Sequence, residues 1–285
     1  MRKNLWLAVI LLALHLVLGQ DWEITNTTFD KNKDVWETTA NCPQENVTIG
    51  FEKHNITKTQ EIKFHCNNVT KERCDNQNER CRLPDLNDIN RLLDKSAFNN
   101  VTELYITYFQ LELPGDLFTI FPNVVKLYLE YTDPVYESGG KWPDNLTLLE
   151  TYQSTSLTFP KVSTIKELEI DNPCKCLFNE DEQDEEFSIT DLNFTSLENL
   201  EYLEFFNCYN LTNLPPNAFR SAKTLKKLEL DNNNLITIDK DALKGLPELE
   251  FIDFEFEFKL TELPIGFFGN APNLKAINIF YTKLR

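Results

Sequence analysis

The sequence predicts an α/β-type repeat solenoid. Coils of about two dozen residues stack so that their strands form one curved parallel sheet, closed at the N-terminal end by a disulfide-stapled cap. Three observations predict it. The stretch LKKLELDNNNLITI, Leu225 to Ile238, sets leucines at 225, 228, 230 and 235 with Asn233 between, a spacing that fits neither a helix nor a simple alternating strand. The same spacing restarts at Leu200, Leu225, Leu249 and Leu274, at intervals of 25, 24 and 25 residues. Four cysteines, Cys42, Cys66, Cys74 and Cys81, lie ahead of the first clear repeat.

Residues 1–19 read as a secretory signal peptide. Arg2 and Lys3 precede an apolar run from Leu5 to Leu18, interrupted only by His15 and too short to span a bilayer, and Val17 and Gly19 are small enough for cleavage after Gly19. Residues 20–41 form an N-terminal segment. Eight N-x-Thr sequons follow the signal, at Asn26, Asn46, Asn55, Asn68, Asn100, Asn145, Asn193 and Asn210, and together they point to a glycosylated, secreted surface. The formal net charge of −17 disfavours nucleic acid and anionic membrane surfaces and favours cationic partners. No later apolar run approaches the roughly 20 residues of a membrane span.

Residues 42–100 are the cap. A first coil has nothing to cover its exposed core edge, and a disulfide-stapled element solves that problem. Two bridges among Cys42, Cys66, Cys74 and Cys81 are expected, with all three pairings open. A zinc site would need a different pattern: successive spacings of 24, 8 and 7 contain no CxxC pair.

The repeats occupy residues 101–285, about seven to eight of them, the last incomplete. With the first leucine of each copy as position 1, positions 4 and 6 are Leu203 and Phe205, Leu228 and Leu230, Ile252 and Phe254, and Ile277 and Ile279. Return halves follow: Leu214-Pro215 then Phe219, Ile238 then Leu243 and Leu246, Leu263-Pro264 then Phe267. Upstream, Val101, Val124, Leu146 and Ile165 start looser copies, and Thr151 is a poor residue for position 6. The acidic stretch 178–187 interrupts the return half of the Ile165 copy; adjacent carboxylates repel, so it reads as a solvated loop. It lacks the spaced Asp/Asn and Gly of a calcium loop. Positions 4 and 6 point inward on a short strand, so 3, 5 and 7 point to the other face. At position 9 the chain must turn, and the Asn233 amide can satisfy backbone groups that the bend leaves unpaired.

The pattern LxxLxLxxNxL with its LPxxxF return half resembles the extracellular leucine-rich repeat family, over roughly Val101–Arg285 and most closely from Leu200 onward. The resemblance implies a right-handed solenoid whose concave sheet binds partners, usually proteins. Cys208, Thr132 and Thr282 stand where the family accepts Cys or Thr for Asn, whereas Phe109 and Glu257 depart from it and put a continuous asparagine ladder in doubt. Cys174 or Cys176 is placed in the coil next to Cys208 and could bridge to it; the other reading of Cys208 is a reduced, buried ladder residue. The chain stops at Leu284-Arg285 after a strand and turn, which reads as a fragment of a longer protein.

No catalytic constellation is present: His54 and His65 are the only histidines after the signal, and no P-loop, G-x-G-x-x-G or H-E-x-x-H occurs. Catalytic, cofactor and metal sites are therefore not expected. The candidate site is the concave face. Position 5 reads Tyr105, Tyr128, Glu150, Glu169, Glu204, Glu229, Asp253 and Asn278; Asp231 and Glu255 stand at position 7, with Tyr202, Phe206, Phe251 and Phe256 beside them. Acids one strand apart, at about 5 Å, repel. A basic protein surface would relieve that repulsion, and aromatics among charges suit a binding surface. The other reading is a solvated strand face. The expected function is a secreted recognition glycoprotein. The alternatives are a truncated ectodomain of a Toll-like or adhesion receptor, and a non-catalytic subunit of a secreted enzyme complex such as crustacean luciferase.

Overall fold

A computed structural model describes residues 23–30, 35–42, 47–54, 60–67, 101–107, 112–113, 117–130, 135–136, 141–152, 164–171, 189, 194 and 197–285. The signal segment, Cys74, Cys81, Cys174, Cys176, the stretch 178–187 and the sequons at Asn46, Asn55, Asn68, Asn100 and Asn193 lie outside these residues. The chain divides into two compact units, Met1–Asn145 and Leu146–Arg285.

In the first unit β1 (Glu23–Asp30), β2 (Val35–Cys42), β3 (Val47–His54) and β4 (Gln60–Asn67) form a consecutive antiparallel ladder. Polarity then changes. β4 pairs in parallel with β5 (Val101–Thr107), which pairs in parallel with β7 (Lys126–Glu130). Between them come β6 (Glu112–Leu113) and a single helical turn, Leu117–Ile120, and β6 pairs in parallel with β8 (Val135–Tyr136). This is the coil geometry the spacing predicts. Val101, Leu104 and Ile106 from one strand, Val124, Leu127 and Leu129 from the next, and Leu117 and Phe121 from the return segment are all buried.

In the second unit β9 (Leu148–Tyr152), β10 (Glu167–Asp171), β11 (Tyr202–Phe206), β13 (Lys227–Glu229), β15 (Phe251–Asp253) and β16 (Ala276–Asn278) form a parallel sheet without a register slip. A second, two-stranded parallel ladder joins β12 (Asn213–Leu214) to β14 (Thr237–Ile238), one repeat apart on the return side. The circuits differ in length, 19 residues from Leu149 to Leu168 and 35 from Leu168 to Leu203 against 25 and 24 for the next two, yet each brings position 4 back beside itself, as in-register parallel pairing requires. Leu149, Leu168, Leu203, Leu228 and Ile252 at position 4 are all 0 % exposed and stack as one layer. Burying each such side chain contributes about 1.5–3 kcal/mol. In the final coil the same positions, Ile277 and Ile279, are 42 % and 46 % exposed.

Thr151 occupies position 6 of the Leu146 coil and is buried, opposite Ile170, with its hydroxyl 3.5 Å from the Glu169 carbonyl. A polar β-branched side chain therefore fills a core position by turning its hydroxyl to the sheet backbone. At the corner after Leu243, Gly245 has φ 95°, and a Cβ there would lie 3.1 Å from the Arg220 Cα of the preceding coil, so any other residue at this corner is strained.

Position 9 is bridged across coils by side chains. Asn233 is buried; its Oδ1 accepts from the Cys208 N–H at 2.7 Å and its Nδ2 donates to the Phe205 carbonyl at 3.0 Å. Glu257 continues the ladder in place of asparagine. Its two carboxylate oxygens accept from the N–H groups of Asn233 at 2.7 Å and Leu235 at 2.8 Å. Cys208 is buried at the same level, its Sγ 3.7 Å from the Ile170 carbonyl oxygen and 3.4 Å from that of Phe206.

Candidate recognition face

Positions 3, 5 and 7 lie on the sheet face opposite the core. In the second unit the pairing register sets Glu150, Glu169, Glu204, Glu229, Asp253 and Asn278 side by side, strand after strand. Glu167, Asp171, Asp231 and Glu255 stand beside this column at positions 3 and 7. These odd positions thus carry nine acids and one base, Lys227. Position 2 behaves differently. It alternates Lys166, Glu201, Lys226, Glu250 and Lys275, and these join as ion pairs: Lys166–Glu201 at 3.4 Å, Lys226–Glu201 at 2.8 Å and Lys275–Glu250 at 2.7 Å. One column neutralises itself; the column three residues along does not.

The cost of holding the acids together shows in their protonation. Burial lifts Glu169 from 4.5 to about 7, with Glu150, Glu204, Glu167 and Glu229 adding to it. Burial likewise lifts Asp231 from 3.8 to about 7, against a backbone hydrogen bond and with Glu204, Asp253 and Glu229 reinforcing it. Asp171 is raised by burial and partly restored by the Asn207 amide, which donates to it at 3.1 Å.

At the centre, the Tyr202 hydroxyl meets Glu204 Oε2 at 2.8 Å and also Glu229 Oε2 on the next strand. A phenol has one hydrogen, so the second contact needs a proton on a carboxyl. Burial raises Glu204, the Tyr202 hydroxyl acts against that, and Glu229 adds to it. Burial and both carboxylates push the phenol itself upward. One oxygen each from Glu204, Glu229 and Asp231 lies within 4.8 Å of the others, close enough to share a cation. Lys227 already supplies one: its Nζ is 2.5 Å from Glu229 Oε1.

The remaining candidates stand in different environments. Asp253 is 9 % exposed and committed, its Oδ1 accepting from the Glu255 N–H at 2.7 Å and its Oδ2 from the Asn278 amide at 3.0 Å; that amide also meets Glu255 Oε2 at 2.9 Å. Phe206 and Phe251 are half-buried on the face. Phe256 stands at position 8, where the chain turns through left-handed backbone: Asn207, Asn232, Phe256 and Tyr281 have φ of 55°, 54°, 60° and 56°. Asparagine accepts this conformation readily and a bulky aromatic does not. Phe256 and Tyr281 stack, centroids 4.9 Å apart and planes 6° from parallel, and both are exposed. In the first unit, Tyr105 and Tyr128 pair in register and stack at 4.1 Å. Of the sequons, Asn145 is exposed and Asn210 half-buried.

Reading the sequence residue by residue misses Lys227 and takes Glu257 for a break in the ladder it continues. The signal for Lys227 is its position: one repeat either side of it at position 3 stand Tyr202 and Phe251.

The raised carboxyls fix the sign of a stability effect. A carboxyl near 7 in the folded chain and near 4 in the unfolded chain binds more protons when folded between those values, so stability falls as pH rises through that window. The melting temperature is expected to be several degrees higher at pH 5 than at pH 8, and Glu169→Gln with Asp231→Asn to flatten the difference. A melting temperature that rises with pH would contradict this.

A family model described as Leucine rich repeat matches residues 205–256. No curated protein matches. Among solved structures, a chain of the Drosophila Toll–Spatzle complex superposes with TM-score 0.51 at 12 % identity, over 93 % of this chain and 35 % of that one. The glycosylated form of that complex gives TM-score 0.47 at 13 % identity, over 88 % of this chain and 34 % of that one. A chain of the TLR13–ssRNA13 complex gives 0.46 at 15 % identity, over 81 % and 42 %. The chain thus spans about a third of the length of the Toll–Spatzle chain it superposes on. The coil spacing, the unbroken parallel register, the position-9 ladder and the matched repeat model lead to one conclusion: the fold is a leucine-rich repeat solenoid.

Proposed function

We propose that the chain is a secreted, non-catalytic glycoprotein that recognises another protein through the position-5 face, and that the partner presents a basic surface there. One observation carries this reading. The chain neutralises its charges at position 2 with alternating Lys and Glu, yet leaves position 5 acidic over five consecutive strands, in register. Like charges held one strand apart raise the free energy of the unbound face, and a cationic partner lowers it. Half-buried Phe206 and Phe251 add apolar contact area beside the charges. The exclusion of nucleic acid rests on charge alone.

The test separates binding from folding. The variant Glu169→Gln, Glu204→Gln, Asp231→Asn removes charges that the fold holds at a cost, so it is expected to melt higher than the natural chain. Its binding is expected to fall about tenfold or more, taking each lost charge pair at about 0.5–1 kcal/mol. The measurement is capture of secreted proteins on immobilised chain, at low and high salt, followed by affinity determination for those retained at low salt only. Partners that bind the neutralised variant equally well, or preferential capture of single-stranded RNA, would overturn the reading.

A receptor ectodomain of the Toll kind is a second reading. The superposition over 93 % of this chain favours it, and in that structure the relative is in complex with a protein, Spatzle. Sequencing the transcript past Arg285 tests it: an apolar run of about 20 residues is expected.

A further inference from the structure

We infer that Lys227 is a specificity-determining residue of this face: its ammonium fills, from within the chain, the subsite that a partner's cationic side chain takes, and the partner enters by displacing it. The inference rests on the reading of the face given above.

Lys227 sits between two aromatic rings and on a carboxylate. Its Nζ is 4.7 Å from the centroid of Tyr202 on one neighbouring strand and 5.5 Å from that of Phe251 on the other. Glu229 Oε1, two residues along the same strand, is 2.5 Å away. The register produces this box, because Tyr202, Lys227 and Phe251 are direct cross-strand partners at position 3. Aromatic faces with a carboxylate at the edge are the components of a cation subsite. The floor is fixed: the Tyr202 hydroxyl ties Glu204 and Glu229 together, so the Glu229 carboxylate has an anchor on the face besides Lys227. The lysine side chain is 46 % exposed against 16 % for Glu229, so it is the member of the pair that a partner can reach and displace.

The chemistry selects the displacing group. An ammonium is compact and strongly hydrated, whereas a guanidinium is planar, sheds water more readily, stacks on aromatic faces and can engage a carboxylate with two N–H groups. Arginine on the partner is therefore the group that displaces Lys227, and a partner lysine merely exchanges like for like.

Fluorescence anisotropy with a labelled oligoarginine peptide and an oligolysine peptide of equal length tests this. Lys227→Met keeps the apolar stem, removes the internal competitor and is expected to bind oligoarginine about three- to tenfold more tightly than the natural chain. Lys227→Arg installs a stronger internal competitor and is expected to bind it more weakly. Lys226→Met removes the same charge one residue away, from the exposed position-2 ion pair, and is expected to change affinity less than twofold. Oligolysine is expected to gain less than oligoarginine from Lys227→Met. Equal gains from Lys226→Met and Lys227→Met would show that net charge alone matters; the inference would fall and the acidic face would stand. Failure of every chain to bind either peptide would remove the reading of the face, and the inference with it. Thermal unfolding of each variant shows whether it is folded, and a Lys227→Met chain that fails to fold would give the lysine a structural role instead.

Discussion

Phe219→Ala is expected to destabilise the chain by about 3–5 kcal/mol, the range for truncating a fully buried phenylalanine. Phe219 is 0 % exposed and stands at the back of the Leu200 coil, in its return half. Its ring meets Phe205, position 6 of the same coil, at 6.5 Å, and Phe194 at 6.4 Å, both tilted contacts. Each such aromatic pair contributes about 0.5–1.5 kcal/mol beyond the area it buries. The substitution therefore empties a space lined by two other buried rings that the sheet and the stacked coils hold in place. Because each coil is covered only by its neighbours, the loss passes to the interfaces on either side. The measurement is urea unfolding followed by fluorescence and far-ultraviolet dichroism. Phe258→Ala serves as the comparison, since Phe258 is 50 % exposed, and it is expected to cost less than about 0.5 kcal/mol. A loss of under 1 kcal/mol for Phe219→Ala, or equal losses for the two, would mean that the return halves and the sheet do not share one core.

Most of the repeat body was legible in the sequence for a simple reason: where the period of the chain equals the period of the structure, spacing reports burial directly. Leu203, Leu228 and Ile252 read as one layer and stack as one layer. Thr151 read as a weak position 6 because hydropathy scores its hydroxyl as exposed, while the structure turns that hydroxyl to a backbone carbonyl. Glu257 read as a break in the ladder because composition cannot show that a longer side chain reaches the same two backbone groups. The antiparallel strands β1–β4 gave no repeat signal, since their pairing is set by turns and side-chain alternation that no fixed period encodes. On the candidate face, the acid column was legible because strand register and repeat register coincide. The commitments of its members were not. Whether Asp253 faces outward or accepts from Glu255 and Asn278 depends on a turn two residues away. Lys227 becomes visible only when three repeats are laid across one another.

Glu257→Ala is expected to cost about 2–6 kcal/mol, because it leaves the buried N–H groups of Asn233 and Leu235 without acceptors, at about 1–3 kcal/mol each. Glu257→Asn restores the side chain that Asn233 uses one coil earlier, where one oxygen accepts an N–H and the amide donates to a carbonyl. It satisfies one of the two donors at Glu257, so an intermediate loss is expected. Protonation adds a second signature. Burial lifts the Glu257 carboxyl from 4.5 to about 7, against the N–H groups of Asn233 and Leu235 that favour its charged form. Its folded pKa lies above its unfolded one, so its contribution to stability declines as pH rises from about 4.5 through 7. Alanine has no such dependence. The gap between the natural chain and Glu257→Ala is therefore expected to be wider at pH 5 than at pH 8, measured as unfolding free energy at both. A gap that widens with pH would show that the two N–H donors outweigh burial and hold Glu257 as a carboxylate throughout. A negligible gap at both would mean that the asparagine ladder ends at Asn233.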